Sequence, residues 1–391
     1  MEYTKYLIIG NGIAGHSASL EIRKLDPEGR IVIISREPHN TYYRLKLTEL
    51  IAHPGETEDI YLMTEEKAKE SNIEILLSNG VTEIRPEEKL VVLENHRDFT
   101  YEKLLIATGS QPFIPPTEGQ EKEDVISIRT IDDIMRLHRN FKDKEHIVVI
   151  GGGLLGLEAA WGLHESGKKV DVVEMAPWLL PRQLDEPSSA QLTARLGEAG
   201  IGIHTGTSVT RILGDETVTG VRLGTDEVID CDGVLFNIGV RPDTALAKEA
   251  GIPTERGIIV DEKMRTRIED IYAAGDCIEH GGMVFGLWTQ SNAQGRVAGQ
   301  NMAGGNAAYT NPKLFSNLKI GDIQIFSSGD VQGYDEVREY QETGDGFKKF
   351  FFLDGKPVGA ILFGDIKDMA KVNKILDGDM AFEDYRTQNN P

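Results

Sequence analysis

The sequence contains one short pattern twice, and this repeat constrains the fold more than any other feature. Residues 6–9 (Tyr-Leu-Ile-Ile) and 147–150 (Ile-Val-Val-Ile) are apolar runs, and each leads directly into a glycine-rich turn. The first turn, residues 10–15, reads Gly-Asn-Gly-Ile-Ala-Gly, and the second, residues 151–156, reads Gly-Gly-Gly-Leu-Leu-Gly. A strand that enters a helix through such a turn is typical of a doubly wound nucleotide-binding fold.

Each turn is embedded in the same succession of segments. A helical stretch follows the turn, then a second apolar strand and, further on, an apolar strand that ends at a glycine. In the first copy these are residues 17–24, 30–35 and 104–109; in the second they are residues 157–164, 169–175 and 234–239. Two complete copies predict two separate α/β domains, each built on a parallel sheet.

The glycines of each turn have a specific task. The first permits the tight passage from strand to helix, the second lets a pyrophosphate approach the backbone, and the third lets helix and strand pack closely. The helix N-terminus then offers unpaired N–H groups and partial positive charge to the phosphates. Glycines after strands can also be plain turns, but the repeated context favours two dinucleotide sites.

A carboxylate at the end of the second strand of such a domain accepts hydrogen bonds from the adenosine ribose. In the second copy Glu174 occupies this place, and its charge would repel a 2′-phosphate, so NADH is favoured over NADPH. In the first copy the turn at residues 26–29 lengthens the connection. This leaves Ser35 or Glu37 as the ribose contact, with Glu37 preferred.

Breaks along the chain predict three domains. Three prolines between residues 112 and 116 follow the first copy, and the second copy ends near residue 242. A later apolar strand at residues 271–276 and a helix at 288–302 have no third glycine turn to belong to, so we assign them to the first domain. The predicted domains are residues 1–112 with 242–314, residues 113–241 inserted within the first, and residues 315–391.

The last of these segments has a different pattern. Residues 349–353 and 357–363 are apolar strands on either side of an Asp354-Gly355 hairpin turn, and residues 366–376 have a helical pattern. We expect the three consecutive phenylalanines at residues 350–352 to lie in a core strand rather than on a docking surface. The tail is therefore predicted to be a small α+β domain.

Composition narrows the possible partners. The net charge of −21 argues against nucleic acid and against anionic membranes. The two cysteines, Cys231 and Cys277, have no metal-ligand spacing, so we predict no metal site and expect both to be small buried residues. The apolar stretch 147–163 contains three consecutive glycines and Glu158 and is a poor membrane span. No basic leader precedes the first strand, which predicts a cytoplasmic protein.

Two further motifs carry a family resemblance. The return turn at residues 107–109 (Ala-Thr-Gly) and the run at 272–276 (Tyr-Ala-Ala-Gly-Asp), with the two nested copies, resemble the FAD-dependent pyridine nucleotide-disulfide oxidoreductase superfamily. The similarity extends from residue 5 to about residue 305. It implies a glutathione-reductase-like fold with FAD in the first domain, NADH in the inserted domain, and Asp276 bonded to the flavin ribitol.

The glycine turns and the resemblance together predict the cofactor contacts. Those for FAD are Gly10, Gly12, Ala14, Gly15, Ser35, Glu37, Arg44, Lys46, Val81, Ala107, Thr108, Gly109, Asp276, Trp288 and Thr289. Those for NADH are Gly151, Gly153, Leu155, Gly156, Glu174 and Gly239.

The branch of the superfamily that the chain resembles can be predicted from whether cysteines lie beside the flavin. Disulfide reductases need a cysteine pair beside the flavin, but residues 40–49 (Asn-Thr-Tyr-Tyr-Arg-Leu-Lys-Leu-Thr-Glu) contain no cysteine. Those enzymes also need a general-acid histidine in the C-terminal domain, whereas the last histidine here is His280. Thiol–disulfide chemistry at the flavin is thus excluded. The sequence is instead similar to NADH:rubredoxin oxidoreductases, which pass electrons from flavin directly to a carrier protein.

Some positions depart from the relatives. Rubredoxin reductases commonly have proline where Leu45 stands, and ferredoxin reductases carry lysine in place of Glu49. In relatives that lysine pairs with the glutamate corresponding to Glu158. We therefore predict that Lys46, one helical turn earlier, takes over the pairing and that Lys46 and Glu158 assist catalysis. A merely solvated Lys46 is the alternative.

The resemblance implies an electron relay. NADH delivers hydride to flavin N5, and the helix that begins at Trp288 and Thr289 points its N-terminal amides at the flavin edge that becomes negative. A rubredoxin-like carrier is the expected acceptor, although its usual acidity would oppose docking on an acidic chain. The alternatives are a flavin module of a larger nitrite-reductase-type assembly and an FAD-binding interaction protein with slow NADH oxidation. A monomer or weak dimer is expected.

Overall fold

The computed structural model describes residues 1–55, 57–311, 313–341 and 344–389. Its first part alternates strands and helices around the first glycine turn. The elements are β1 (Glu2–Ile9), α1 (Ile13–Leu25), β2 (Ile31–Ile34), a 3₁₀ helix (Arg44–Leu47), α2 (Glu49–Ala52), a second 3₁₀ helix (Thr57–Ile60), α3 (Glu65–Glu70), β3 (Ile73–Leu76), β4 (Val81–Arg85), β5 (Leu90–Leu93), β6 (Phe99–Ile106) and β7 (Ser110–Pro112).

The strands β1 to β6 form one sheet in the order β3-β2-β1-β6-β5-β4, and β7 pairs with the later strand at residues 240–242 instead. β1 pairs in parallel with β2 on one side and β6 on the other. Every residue of β2 is buried, as expected for a strand covered on both faces of a parallel sheet. The carboxyl ends of β1 and β6 therefore meet beside the glycine turn, where a ligand can reach the helix N-terminus.

The second part repeats this arrangement. Its elements are β8 (Val125–Ser127), α4 (Ile131–Asn140), β9 (His146–Ile150), α5 (Leu154–Glu165), β10 (Lys169–Glu174), α6 (Glu186–Glu198), β11 (Gly202–Thr205), β12 (Val209–Leu213), β13 (Gly220–Leu223), β14 (Val228–Ile229), β15 (Gly233–Phe236) and β16 (Val240–Pro242). The main sheet has the order β11-β10-β9-β15-β8, and its first four strands match β3-β2-β1-β6 of the first sheet. The prediction of two doubly wound copies is confirmed.

The chain then returns to the first sheet. The elements are α7 (Ala245–Glu249), β17 (Ile258–Val260), β18 (Ile271–Ala273), β19 (Ile278–His280) and α8 (Trp288–Met302). β18 pairs in parallel with β6. α8 packs tightly on α1, because a Cβ at Gly295 would lie 2.2 Å from the carbonyl oxygen of Ala14 and one at Gly299 would lie 2.4 Å from that of Ala18. The close helix pair fixes the N-terminus of α8 beside the first glycine turn.

The C-terminal part is an antiparallel sheet covered by two helices. Its elements are β20 (Phe315–Ile320), β21 (Ile323–Gly329), β22 (Glu336–Gln341), β23 (Phe347–Leu353), β24 (Lys356–Phe363), α9 (Met369–Asp377) and α10 (Phe382–Asn389). The sheet order is β20-β21-β24-β23-β22. Asp354 and Gly355 both have positive φ, as the tight hairpin turn requires. The phenylalanines at residues 350–352 are fully buried, which confirms them as core residues.

Among the helices that the described residues form, none has both the length and the apolar character needed to cross a bilayer.

Candidate functional site

A cavity of about 350 Å³ opens at the carboxyl end of the first sheet. Its wall includes the first glycine turn, the return turn at residues 107–109, and Asp276. Arg129 and Leu155 reach the wall from the second domain. The cavity therefore lies where the two nucleotide domains meet.

The two glycine turns have the same backbone geometry. Gly10 and Gly151 have φ of +111° and +119°, and a Cβ at either would lie 2.1 or 2.2 Å from the carbonyl oxygen of Ala107 or Asn237, respectively. The third glycines, Gly15 and Gly156, are closed in the same way by the carbonyl oxygens of Gly10 and Gly151, at 2.1 and 2.0 Å. Only glycine fits at these positions, because any side chain would overlap the backbone.

The second glycine of each turn is open instead. A Cβ at Gly12 or Gly153 would meet no atom within 4 Å. These two residues are also the N-caps of α1 and α5, and neither helix has a side-chain cap. Each turn thus leaves free space in front of uncapped backbone N–H groups, which is the arrangement that holds a pyrophosphate.

Beyond the first glycine turn, the cavity wall contains the predicted residues Ser35, Glu37, Arg44 and Val81. The Glu37 carboxylate forms an ion pair with Arg44 at 2.8 Å and accepts a hydrogen bond from the Tyr42 hydroxyl at 2.7 Å. The Arg44 guanidinium lies over the Tyr42 ring, 4.8 Å from its centroid. Ser35 donates to the backbone oxygen of Glu37 at 3.2 Å. The contacts hold the Glu37 and Arg44 side chains in fixed positions at the wall.

Asp276 lies in a network that joins both domains. Its carboxylate forms an ion pair with Arg129 at 2.8 Å and accepts hydrogen bonds from Ser291 at 2.8 Å and Ser110 at 3.1 Å. Burial would raise the pKa of Asp276, but the Arg129 charge and these hydrogen bonds outweigh burial and hold the pKa below its usual range. The carboxylate is therefore ionised and fixed in position at neutral pH.

The N-terminus of α8 completes the wall. α8 begins at Trp288, follows the N-cap Leu287 without a side-chain cap, and places Thr289 on its exposed side. The Trp288 ring meets Tyr43 edge to face, with centroids 4.8 Å apart. Trp288 Nε1 is buried and has no hydrogen-bond partner among the described residues. A buried donor and uncapped amides at a cavity wall suit an anionic or carbonyl-bearing ligand.

Glu174 is oriented by the second glycine turn. Its carboxylate accepts a hydrogen bond from Gly152 N–H at 2.6 Å and another from Ala176 N–H at 2.8 Å. The Glu174 carboxylate, which we predicted as a ribose contact, is therefore held in a fixed position beside the second glycine turn. Gly239, with φ of +98°, follows β15, and a Cβ there would meet no atom within 4 Å.

The expected pairing of Lys46 with Glu158 is not present in the structure. Glu158 accepts a hydrogen bond from the Thr48 hydroxyl at 3.1 Å, and no ion pair joins it to Lys46 within the ranges that the structure describes. Lys46 lies on the 3₁₀ helix two residues before its C-cap Thr48, and residues two apart do not share a helix face. Thr48 takes the place that we assigned to Lys46.

The sequence analysis missed several wall residues. Arg129 is the most important, because it contacts Asp276, the backbone oxygen of Ser110 at 3.1 Å and, through its own carbonyl, Arg44. Asn11 accepts a hydrogen bond from Thr41 at 2.7 Å. The sequence marks only the position of Arg129, which immediately precedes Thr130, and the capping box of Thr130 with Asp133 starts α4. The partner of a basic residue before a helix cannot be predicted from this position, so the contact with Asp276 was missed.

Neither cysteine offers a reactive thiol to this site, although Cys277 directly follows Asp276 and its thiol donates to the carbonyl oxygen of Ala274 at 3.4 Å. Cys231 and Cys277 are buried and unpaired, and burial raises their pKa to about 12 and about 11, respectively. Such thiols are protonated at neutral pH and unreactive. Across the described ranges no group of three or more His, Cys, Asp and Glu side chains is suited to a metal ion.

These observations test the fit of the cofactors that the fold implies. The first glycine turn, with its open space, can hold the FAD pyrophosphate, and the Asp276–Arg129 network can hold its ribitol. The buried donor of Trp288 and the uncapped start of α8 suit the polar edge of the isoalloxazine. The second turn with Glu174 has the corresponding features for NADH. The residues present therefore fit both groups.

Comparison with known proteins gives matches along most of the chain. Residues 4–295 match the family model described as pyridine nucleotide-disulphide oxidoreductase, and residues 315–379 match the rubredoxin NAD+ reductase C-terminal domain. The chain is 32% identical to the NADH-rubredoxin oxidoreductase of Clostridium acetobutylicum, over 98% of this chain and 97% of that protein. It is 36% identical to a nitrite reductase [NAD(P)H] of Bacillus subtilis, but spans only 45% of that protein's length.

Solved structures agree with these matches. The crystal structure of the Clostridium acetobutylicum NADH:rubredoxin oxidoreductase aligns with a TM-score of 0.83 at 31% identity, over 98% of this chain and 97% of that chain. A ferredoxin reductase from Rhodopseudomonas palustris aligns with a TM-score of 0.89 at 30% identity, over 96% and 95%. In both cases the similarity includes all three parts of the fold.

Proposed function

The chain belongs to the pyridine nucleotide-disulphide oxidoreductase family, and from this premise we propose that it transfers electrons from NADH through FAD to a small carrier protein. The acceptor that we favour is rubredoxin or a carrier like it, because the C-terminal part matches a rubredoxin reductase domain. When bound, FAD accepts a hydride from NADH and releases the electrons one at a time. The protein supplies binding, orientation and electrostatics.

The absence of a reactive thiol beside the flavin carries this proposal. The chain has two cysteines, and both are buried with a raised pKa. Cys277 follows Asp276 directly, but its thiol is fully buried and donates to the carbonyl oxygen of Ala274 at 3.4 Å. Tyr43 and Trp288 stand together where the first 3₁₀ helix meets α8. Without a thiol relay, electrons must leave the flavin directly, which suits a one-electron carrier rather than a disulfide substrate.

The residues divide the work of binding. The first glycine turn, from Gly10 to Gly15, binds the FAD pyrophosphate, and Asp276 holds the ribitol with Arg129 as its counter-ion. Glu37 orients the adenosine end together with Arg44. The dipole of an uncapped helix such as α8 stabilises a nearby negative charge by about 0.3–2 kcal/mol. This is enough to shift the redox potential of a bound flavin but not to set that potential alone.

The NADH site rests on the second copy. The turn from Gly151 to Gly156 binds the NADH pyrophosphate, and Leu155 on the cavity wall brings that domain beside the flavin. Glu174 accepts hydrogen bonds from the ribose and disfavours a 2′-phosphate. The side chains of Leu45 and Leu155 are exposed at the cavity wall and give it an apolar rim.

A second candidate function is a flavin module of a larger reductase. The observation that favours it is similarity: 92% of this chain is 36% identical to part of the Bacillus subtilis nitrite reductase, and 95% is 32% identical to part of an assimilatory nitrate reductase electron transfer subunit from the same organism. The chain spans 45% and 49% of the length of these two relatives. In this case the acceptor would be a further domain or subunit, and haem- or iron–sulfur-containing chains should co-purify with the protein.

The test is kinetic. Purified protein loaded with FAD should lose its visible flavin absorbance rapidly when mixed with NADH in a stopped-flow instrument. Steady-state NADH oxidation with rubredoxin, ferredoxin, flavodoxin, oxygen and quinone then identifies the acceptor. Fast turnover with a carrier supports the proposal, slow reduction without carrier turnover supports an interaction protein, and a colourless protein that cannot take up FAD refutes both.

A further inference from the structure

One wall of the cofactor cavity is a segment of the first domain with little regular structure of its own. The segment connects β2 to the first 3₁₀ helix, and its residues 35–37, 39, 42, 44 and 45 line the cavity. No helix or strand forms between Ile34 and Arg44 in this described part of the chain. Side-chain contacts and a few backbone hydrogen bonds therefore determine where this wall segment, residues 35–45, stands.

The second half of the wall segment is attached to the first domain. The Thr41 hydroxyl donates a hydrogen bond to the Asn11 side chain at 2.7 Å, and Asn11 belongs to the first glycine turn. The Tyr43 N–H donates to the carbonyl oxygen of Ile60 at 2.7 Å, and the Leu62 N–H donates to that of Thr41 at 2.8 Å. These bonds hold this half of the segment against the glycine turn and the second 3₁₀ helix.

Two further contacts join the wall segment to the inserted domain. His39 Nε2 lies 3.0 Å from a carboxylate oxygen of Asp132, and the Arg44 guanidinium donates to the carbonyl oxygen of Arg129. Arg129 and Thr130 themselves line the cavity at the start of α4, and a capping box at Thr130 fixes this start. The start of α4 therefore adjoins the wall segment from the other domain.

The hydrogen-bond partners of His39 determine which ring nitrogen carries the proton. A carboxylate can only accept, so Nε2–H donates to Asp132, and Nδ1 is the acceptor nitrogen of the neutral ring. The Tyr61 hydroxyl lies 3.2 Å from Nδ1 and donates to it. Burial and the Asp132 charge raise the pKa of Tyr61, which keeps its hydroxyl protonated. Tyr61, His39 and Asp132 thus form one directed chain of hydrogen bonds.

This chain of three residues reaches from a buried ring to the rim of the domain contact. The His39 side chain retains only 14% of its exposure, whereas that of Asp132 retains 55%. The His39 ring also meets the Tyr42 ring edge to face, with centroids 6.4 Å apart, and Tyr42 meets Tyr61 in the same way at 6.5 Å. Packing and Tyr61 therefore fix the imidazole, while its bond to Asp132 is the part that solvent can reach.

The start of α4 contacts the cavity wall at a second place as well. The Arg129 side chain pairs with Asp276, which belongs to the returning part of the first domain. His39 and Asp276 both line the cavity, although they are far apart in the sequence of the first domain. The start of α4 thus joins two separate parts of the cavity wall to the inserted domain.

We propose that the Tyr61–His39–Asp132 chain retains FAD in the cavity by holding the wall segment against α4. FAD leaves when His39 separates from Asp132 and the wall segment moves away from the inserted domain. His39 is a positioning residue in this inference, since no bond between it and FAD is needed. The inference rests on the proposed function only in taking FAD as the ligand of this cavity.

The test measures how fast FAD leaves the loaded protein. Loaded protein is diluted into buffer, and free flavin is followed by its fluorescence after rapid ultrafiltration. His39→Ala and Asp132→Ala should each speed up release on the order of 10-fold, because each removes a hydrogen bond to a charged group at the rim. The double variant should be no faster than either single variant, since both changes remove the same contact.

Conservative variants separate the hydrogen bond from general packing. Asp132→Asn keeps an oxygen acceptor for Nε2–H, so its release rate should stay within about threefold of wild type. Tyr61→Phe keeps the aromatic ring but leaves Nδ1 without its donor, so release should be faster than in wild type and slower than in His39→Ala. His53→Ala and Arg139→Ala, at exposed positions, are the matched controls and should change nothing.

Urea unfolding of the FAD-free chain gives a readout without the cofactor. Asp132→Ala, at a half-exposed position, should unfold at nearly the wild-type urea concentration. A loss of stability in this variant that matches its gain in release rate would assign the contact a general structural role and overturn the inference. Wild-type release rates in both alanine variants, or effects that add in the double variant, also overturn it and leave the proposed function standing. If the wild-type chain takes up no FAD, the proposed function itself fails.

Discussion

Replacing Arg129 by methionine should destabilise the folded chain most strongly near neutral pH. The Asp276 carboxylate retains only 12% of its side-chain exposure, and Arg129 is the cation that compensates its charge. Methionine has a similar length and no charge, so the variant leaves a largely buried carboxylate with hydrogen bonds from Ser110 and Ser291 alone. Breaking a buried ion pair in this way costs more than the pair itself contributes.

The expected magnitude follows from the geometry. Removing one partner of a buried pair typically costs about 3–5 kcal/mol. The two serine hydroxyls remain here, and Arg129 is partly exposed, so the lower end, about 3 kcal/mol, is expected. Arg129→Met combined with Asp276→Asn should recover most of that loss, because no uncompensated charge is then left.

The pKa of Asp276 also determines how the destabilisation caused by Arg129→Met changes with pH. The pKa of Asp276 is lower in the folded chain than in the unfolded chain, so its contribution to stability is present above the ordinary aspartate pKa and is lost as pH falls. In Arg129→Met the carboxyl regains a higher pKa and is neutralised by mild acid. The destabilisation relative to wild type should therefore shrink between pH 7.5 and pH 5.

Urea unfolding of the FAD-free protein, followed by tryptophan fluorescence, measures these differences in the free energy of unfolding. Arg139→Met is the matched control, because Arg139 is exposed near the end of α4, the helix that Arg129 precedes, and its effect should stay within about 0.5 kcal/mol. Equal destabilisation at both pH values, together with no recovery in the double variant, would refute the assigned role of the ion pair.

Three further outcomes are expected. Glu158→Gln should raise the free energy of unfolding at pH 8 by up to about 3 kcal/mol and have little effect at pH 4.5. The reason is that a folded-state pKa of about 7 makes the stability of the wild type fall as pH rises from 4.5 to 7. Urea unfolding at both pH values checks this. Glu174→Ser should lower kcat/KM for NADH about 10-fold and raise the NADPH-to-NADH ratio of kcat/KM, and an unchanged ratio would contradict the ribose role. Gly10→Ala should lower the free energy of unfolding by at least about 3 kcal/mol, because the new Cβ would lie 2.1 Å from the carbonyl oxygen of Ala107. Gly12→Ala should fold normally and fail only to bind FAD, which flavin absorbance after gel filtration would show.

The two glycine turns could be predicted from the sequence because the conformation of each turn depends only on neighbouring residues. Gly10 and Gly151 need a positive φ and a missing side chain, and only glycine meets both conditions. The helix Trp288–Met302 was likewise predicted with its observed bounds. The start of α1 was missed by four residues, because Ile13 to His16 belong both to the glycine turn and to the first helical turn.

The contacts across domains were not readable in the same way. Arg129 meets Asp276 although 147 positions separate them, and neither residue has a local pattern that identifies its partner. The expected Lys46–Glu158 pair failed for a similar reason. The direction in which each side chain leaves the short 3₁₀ helix depends on how α2 packs against α5, and that packing brings Thr48 to Glu158.

The sequence alone determined the two nucleotide-binding copies, the cofactors and the absence of cysteine from residues 40–49, because each depends on residue type and short-range spacing. The tertiary structure decided which charges meet. It joined Arg129 to Asp276 and left Glu158 with a hydroxyl instead of an ammonium group. The physical reason is that a side chain's electrostatic environment is set by the elements folded against it, and these come from distant parts of the chain.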